Sequence, residues 1–185
     1  KSTMTPEEFL LWAEQQDEDY EFVDGRLIAM GRDRAGHNVT KRAAVRALED
    51  AIRRAGLSCT PYSDGIAVRT STGVIRRPDA SVDCSPFDPD SLVLDQPVVV
   101  VEVVSRSSER TDTIRKLADY FSIPSIVHYL IVMPEDRIVI HHQRDAAVAS
   151  GGNSVLTAIR KSGELRLEPP GLVLQVEELF PVELA

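Results

Sequence analysis

Apolar residues along this chain switch between helical spacing and alternation, and the switches mark its elements. Phe9, Leu10, Trp12 and Ala13 share one face behind a Thr5-Pro6-Glu7-Glu8 start, in which Thr5 caps, Pro6 takes the first helical position and Glu8 completes a capping box. A helix running to about Gln16 follows, with Trp12 a core residue. Tyr20–Val23 and Arg26–Met30 flank Asp24-Gly25, which accepts the positive φ angles of a tight turn, so the two segments pair as a hairpin. Over Ala35–Ala55, Val39, Ala43, Leu48 and Ile52 recur at helical spacing, and Gly56 is the stop. The face opposite, with Lys41, Arg42, Arg46, Arg53 and Arg54, reads as a solvated basic surface paired with Glu49 and Asp50.

Beyond that helix the pattern turns to strands. Leu57–Pro61, Ile66–Thr70 and Val74–Val82 are expected as strands, with Ser71-Thr72-Gly73 as a turn and Pro78 interrupting the last of them. Asp83–Asp95 is a surface loop. Pro97–Val104 reads as a strand buried on both faces, and Asp112–Phe121 as a helix. Ile126–Val132 and Arg137–His142 form a second hairpin around Pro134-Glu135-Asp136. Ser154–Arg160, Leu165–Leu167 and Leu172–Leu174 add further strands, with turns at Gly151-Gly152-Asn153 and Pro169-Pro170-Gly171 and a short helix at Glu177–Phe180. At 185 residues and 43% hydrophobic, the chain is expected to form one α/β domain over residues 1–185 around a mixed central sheet.

One residue breaks the pattern. Glu102 sits at the end of the apolar strand, where an unpaired buried carboxylate costs several kcal/mol, so it requires exposure or a partner such as a metal ion. Asp79 opens an alternating segment upstream. Lys116 shares a helix face with Asp112 and Tyr120 and can point back at the strand end. Two acids and a lysine suit metal-assisted phosphodiester chemistry, with the lysine orienting water and stabilising phosphate charge. A lysine carried by the strand itself would stand at position 104, which is valine, so Lys116 takes that part from the helix. A structural Glu102–Lys116 ion pair is the plainer alternative.

Charge and cysteines narrow the setting. A net charge of −8 argues against a broad basic surface for nucleic acid, so any such contact is local. Cys59 and Cys84 lie in no metal spacing and are expected as two reduced, mostly buried thiols. Lys1-Ser2-Thr3 does not begin a signal peptide, and no apolar run reaches membrane-spanning length, which together point to a cytoplasmic protein. His141 and His142 face opposite sides of a strand and cannot jointly chelate. His37 opens the long helix, either lining the site or at the surface. Ser105 and Ser107 satisfy turn backbone, since no histidine stands at a useful spacing to activate them.

The run Glu102-Val103-Val104-Ser105-Arg106-Ser107-Ser108, followed by Asp112, Lys116, Tyr120 and Ile123-Pro124, resembles the motif of the bacterial Uma family of restriction endonuclease-like proteins, within the PD-(D/E)xK nuclease-like superfamily. Tyr20-Glu21-Phe22-Val23-Asp24-Gly25 and Arg77-Pro78-Asp79 are similar to two further signatures, in the right order. Two positions depart from the family: Arg106 stands where a proline is common, and Met133 where an aspartate often precedes Pro134. Neither belongs to the metal set.

The resemblance implies a restriction endonuclease-like mixed sheet flanked by helices, with antiparallel hairpins. It implies Asp79 and Glu102 as the acids of two catalytic strands, Lys116 as a lysine moved onto the helix, and Glu21 as a further acid near the metal or a second water. The expected cofactor is Mg²⁺ or Mn²⁺ bound by Asp79, Glu102, Glu21 and a carbonyl near Val103, because the donors are hard oxygens. The expected partner is DNA, met by the basic helix face or by Arg76 and Arg77, with a homodimer placing two sites on one duplex. Glu21 could instead pair with Arg26 across its hairpin. The alternative function is an inactive interaction or scaffold module of the same fold, and a third is hydrolysis of another phosphorylated substrate at the same centre.

Overall fold

The computed structural model describes residues 4–70, 73–105, 110–145 and 154–181, with side chains 110–112 excepted. Expectations for Arg106, Ser107, Ser108, the Asp112 side chain and the turns at 71–72 and 151–153 fall outside these residues. The chain runs α1 (Pro6–Ala13), β1 (Tyr20–Val23), β2 (Arg26–Ala29), α2 (Ala35–Ala55), β3 (Thr60–Ser63), β4 (Val68–Arg69), β5 (Ile75–Arg76), β6 (Ala80–Asp83) and β7 (Pro97–Val103). It continues through α3 (Arg110–Phe121), β8 (His128–Met133), β9 (Ile138–Arg144), β10 (Val155–Arg160), β11 (Glu164–Leu167), β12 (Leu172–Gln175) and a 3₁₀ turn at Val176–Leu179.

Local chemistry explains the boundaries. Thr5 and Glu8 form the expected reciprocal capping box on α1. Asp24 and Gly25 both take positive φ, at 51° and 72°, so β1 and β2 close in the expected register. Gly56, at φ 64°, ends α2 in the left-handed conformation that glycine adopts without steric cost.

The larger sheet runs β10-β9-β8-β7-β6-β3, with β7 and β8 parallel and the other neighbours antiparallel. β7 is its buried middle. Val99, Val101 and Val103 face α2 and the β11–β12 hairpin through Leu48, Ile52, Leu165 and Leu172, while Val100 turns the other way to meet Tyr120 and Phe121 of α3. Each such valine contributes about 1.5 kcal/mol or more by leaving water. A second sheet, β2-β1-β5-β4, is backed by α1, where Phe9 stacks on Phe22 at 5.2 Å between ring centres.

The segment expected as one strand over Val74–Val82 is two. β5 joins the smaller sheet and β6 the larger, and Arg77-Pro78-Asp79 is the corner between them. Proline supplies no ladder donor, so the chain leaves one sheet there and enters the other. The corner delivers Asp79 to the end of β7.

Two expectations are corrected. Cys59 and Cys84 are joined in a disulfide. The β3–β6 register pairs Thr60 with Asp83, so one step further the two cysteines stand opposite each other, with Cα atoms 4.1 Å apart. The buried stripe of α2 is also turned from its expected phase: Thr40, Lys41, Ala44, Leu48, Ala51 and Ile52 face inward. Lys41 therefore leaves the solvated face, which keeps Arg42, Arg46, Arg53 and Arg54.

Candidate active site

The β6–β7 ladder pairs Ala80 with Val101, so one step beyond it Asp79 stands across from Glu102. Both acids are buried, at 4% and 5% exposure. Like charges in that relationship repel, and each carboxylate has its own set of partners. Asp79 Oδ2 accepts from the Val103 amide at 2.7 Å, and Oδ1 lies 2.8 Å from Lys41 Nζ. Glu102 Oε1 accepts from Lys116 Nζ at 2.9 Å and from the Tyr120 hydroxyl. Its Oε2 accepts no hydrogen bond among the described residues.

Lys116 and Tyr120 come from α3, four residues apart on the face turned to the strand end, as their spacing predicts. Lys116 also lies 3.6 Å from Glu21 Oε1. Glu21 does not pair with Arg26; Ile28 is its neighbour across the hairpin. It is held instead by Arg76 Nη1 at 2.6 Å and the Arg77 amide at 3.3 Å. The buried Arg76 binds Asp119 as well, at 2.7 and 2.9 Å, and Arg77 binds Asp19 and the Gly65 carbonyl. Neither arginine is free to meet DNA as expected: Arg76 is buried against Glu21 and Asp119, and Arg77 is held near the surface by Asp19 and the Gly65 carbonyl.

From the other side of the sheet, the first turns of α2 bring His37 and Lys41. Lys41 Nζ lies 2.9 Å from Asp33, 3.2 Å from Asp64 and 2.8 Å from Asp79. His37 Nδ1 is 3.4 Å from Asp33, and its Nε2 is 3.7 Å from Asp79, beyond hydrogen-bond reach. Sequence reasoning missed Lys41, Asp33 and Asp64. The signal lay in position: Lys41 begins the 41-44-48-52 stripe that otherwise holds Ala44, Leu48 and Ile52, and a lysine on an apolar stripe needs acids in front of it.

These contacts fix the charges. Burial opposes ionisation of Asp79, but His37, Lys41 and the Val103 amide outweigh it and hold its pKa below the ordinary value. Burial pushes Glu102 up to about 7; Lys116 works against that rise, and the Asp79 and Glu21 carboxylates add to it. Burial would lower the Lys41 pKa, yet Asp79, Asp33 and Asp64 together raise it, so the ammonium stays charged. Negative charge thus remains in excess at Glu102.

A cavity of about 350 Å³ opens over this constellation, lined by Glu21, His37, Lys41, Asp79, Glu102, Val103 and Lys116 among others, with Ser105 at its edge. Two carboxylates, one from the corner before β6 and one from β7, an Oε2 without a protein donor and a glutamate hard to ionise alone suit a hard divalent cation. No group of three His, Cys, Asp or Glu side chains able to hold a metal occurs among the described residues, so a cation here would use two carboxylates with backbone or water oxygens. The remaining histidines stand elsewhere: His128 and His141 bond each other at 2.9 Å, and His142 bonds Thr157. No helix among the described residues is long and apolar enough to cross a membrane.

Residues 6–184 match the Uma2 family, described as "Putative restriction endonuclease". A protein of Synechocystis sp. described as uncharacterized is 29% identical over 188 residues, spanning 96% of this chain and 91% of its own. The crystal structure of "a putative nuclease belonging to DUF820" from Anabaena variabilis is similar in fold, with a TM-score of 0.73 at 13% identity and coverage of 96% and 97% of the two chains. The mixed sheet, its hairpins and its flanking helices are those the resemblance implied. On a match that takes in nearly its whole length, the chain belongs to the Uma2 family.

Proposed function

We propose that this protein hydrolyses phosphodiester bonds of DNA at the Asp79–Glu102 cavity, with Mg²⁺ or Mn²⁺ held by those two carboxylates and the Val103 carbonyl. The placing of two buried acids across from each other, with a lysine on each, is the observation that carries this reading. Bound there, the cation supplies Lewis-acid polarisation of a phosphoryl oxygen and a lowered water pKa. Lys116 orients the attacking water and meets the charge that develops on the phosphate. Tyr120 fixes the Glu102 carboxylate, and the Val103 amide and Lys41 fix that of Asp79. Glu21, anchored by Arg76, sets the position of Lys116 and faces a second water. Family membership supports DNA as the substrate. An acidic protomer makes a weak clamp, so two copies face one duplex; a strictly monomeric species in light scattering counts against that arrangement.

A scaffold reading draws on one observation, that each of the two acids is already paired with a lysine, Lys41 and Lys116. Mn²⁺ titration calorimetry separates the two. Hydrolysis requires a Mn²⁺ site that Asp79→Ala abolishes together with DNA cleavage, and a wild type with no such site rejects the nuclease reading.

A further inference from the structure

A second groove, of about 710 Å³, continues from the cavity, sharing Arg32, His37 and Ser105 with it and adding Arg34 and Glu135. We infer that this groove is the track for the DNA phosphates flanking the scissile one, with Arg32 and Arg34 as their ligands. The inference rests on the proposed hydrolysis of DNA and names where that substrate lies.

Arg32 and Arg34 are exposed and have no acidic partner among the described residues. Arg46, Arg53, Arg54, Arg69 and Arg77 are paired with Asp50, Asp50, Glu178, Glu7 and Asp19, and the arginines that share this lack of an acidic partner, Arg26, Arg42 and Arg160, do not line the groove. The acid between them, Asp33, would neutralise both, but it turns inward to Lys41. Two cations are thereby left at the mouth of the site. Guanidinium groups present forked donors that match phosphate oxygens and shed water readily.

Position supports the same conclusion. Arg34 stands at the N-cap of the 21-residue α2, makes no capping hydrogen bond and is followed by no acid in the first turn. A positive residue there works against the helix dipole, a local cost that a bound phosphate offsets. Arg53 and Arg54, on the basic face first considered for DNA, lie some sixteen residues along α2 from His37, roughly 25 Å at 1.5 Å per residue. They are too far from the cavity to hold the neighbouring phosphates. Glu135 also lines the groove, and its carboxylate disfavours phosphate on its own side.

The test is fluorescence anisotropy of a labelled DNA duplex in EDTA across a salt series, comparing wild type, Arg32→Ala/Arg34→Ala, and the charge-matched Arg53→Ala/Arg160→Ala. The first double variant is expected to bind tenfold or more weakly at low salt. Its slope of log K against log salt should fall by roughly 1.8, about 0.9 for each phosphate contact. The control should stay within twofold of wild type. An unchanged affinity and slope in the first variant, or an equal loss in the control, overturns the track. A wild type that binds duplex but never cuts it in Mn²⁺ rejects hydrolysis while the salt slopes still decide the track; a wild type that binds no duplex overturns both.

Discussion

Lys41 Nζ lies 2.8 Å from Asp79 Oδ1, joining the second turn of α2 to the corner where the chain passes between its two sheets. The contact crosses the layers of the fold. It keeps Asp79 ionised and fixed, with Asp33 and Asp64 completing the lysine's shell.

Lys41→Met therefore leaves a buried, ionised Asp79 beside two further acids. Removing one partner of a buried pair costs about 3–5 kcal/mol, and the half-exposed Asp64 places this case at the lower end. The urea midpoint should fall accordingly in EDTA, and Mg²⁺ should restore part of the loss by meeting Asp79 in the lysine's place. A midpoint equal to wild type in EDTA would contradict the role given to Lys41.

Glu102 sets a pH dependence of opposite sign to the usual carboxylate. Its folded pKa, about 7, lies above the ordinary 4.5, so its contribution to stability is full below 4.5 and is lost as pH rises through 7. In EDTA, Glu102→Gln should be more stable than wild type at pH 8 by on the order of a few kcal/mol. The difference should shrink towards zero at pH 5. Paired urea titrations at the two pH values measure it, and a difference that does not grow with pH would contradict the excess of negative charge assigned to this site.

The Cys59–Cys84 disulfide spans 25 residues, and closing a loop of that size stabilises by about 3.5 kcal/mol in the chain-entropy account. Dithiothreitol should lower Tm by several degrees, and Cys59→Ser/Cys84→Ser should match the reduced wild type. The oxidised protein should show no titratable thiol with Ellman's reagent in denaturant.

Much of this was legible in the sequence for physical reasons that can be named. Thr5, Asp24-Gly25 and Gly56 act through their own backbone chemistry, so three element boundaries followed from single residues. The uninterrupted valines of β7 required cover on both faces, and that isolated Glu102 as the exception. Lys116 and Tyr120 followed from helical spacing. What stayed hidden depended on pairing across the fold. The disulfide is created by the β3–β6 register, and Pro78 did not say that β5 and β6 join different sheets. Lys41 was misassigned because Val39 and Ala43, both only half-buried, shifted the inferred face of α2. Arg76 and Arg77 looked like surface cations until Glu21, Asp119 and Asp19 proved to be waiting for them.

In the proposed reaction Glu102 and Lys116 belong to a metal-dependent nuclease site. Conversion of supercoiled plasmid to nicked and linear forms in Mn²⁺ or Mg²⁺, with EDTA as the control, tests it most directly on wild type, Glu102→Ala and Lys116→Ala of verified folding. Cleavage by wild type that needs the cation and falls at least a hundredfold in both variants is the predicted result. Cleavage that persists in EDTA, survives either substitution or is absent from wild type would contradict it.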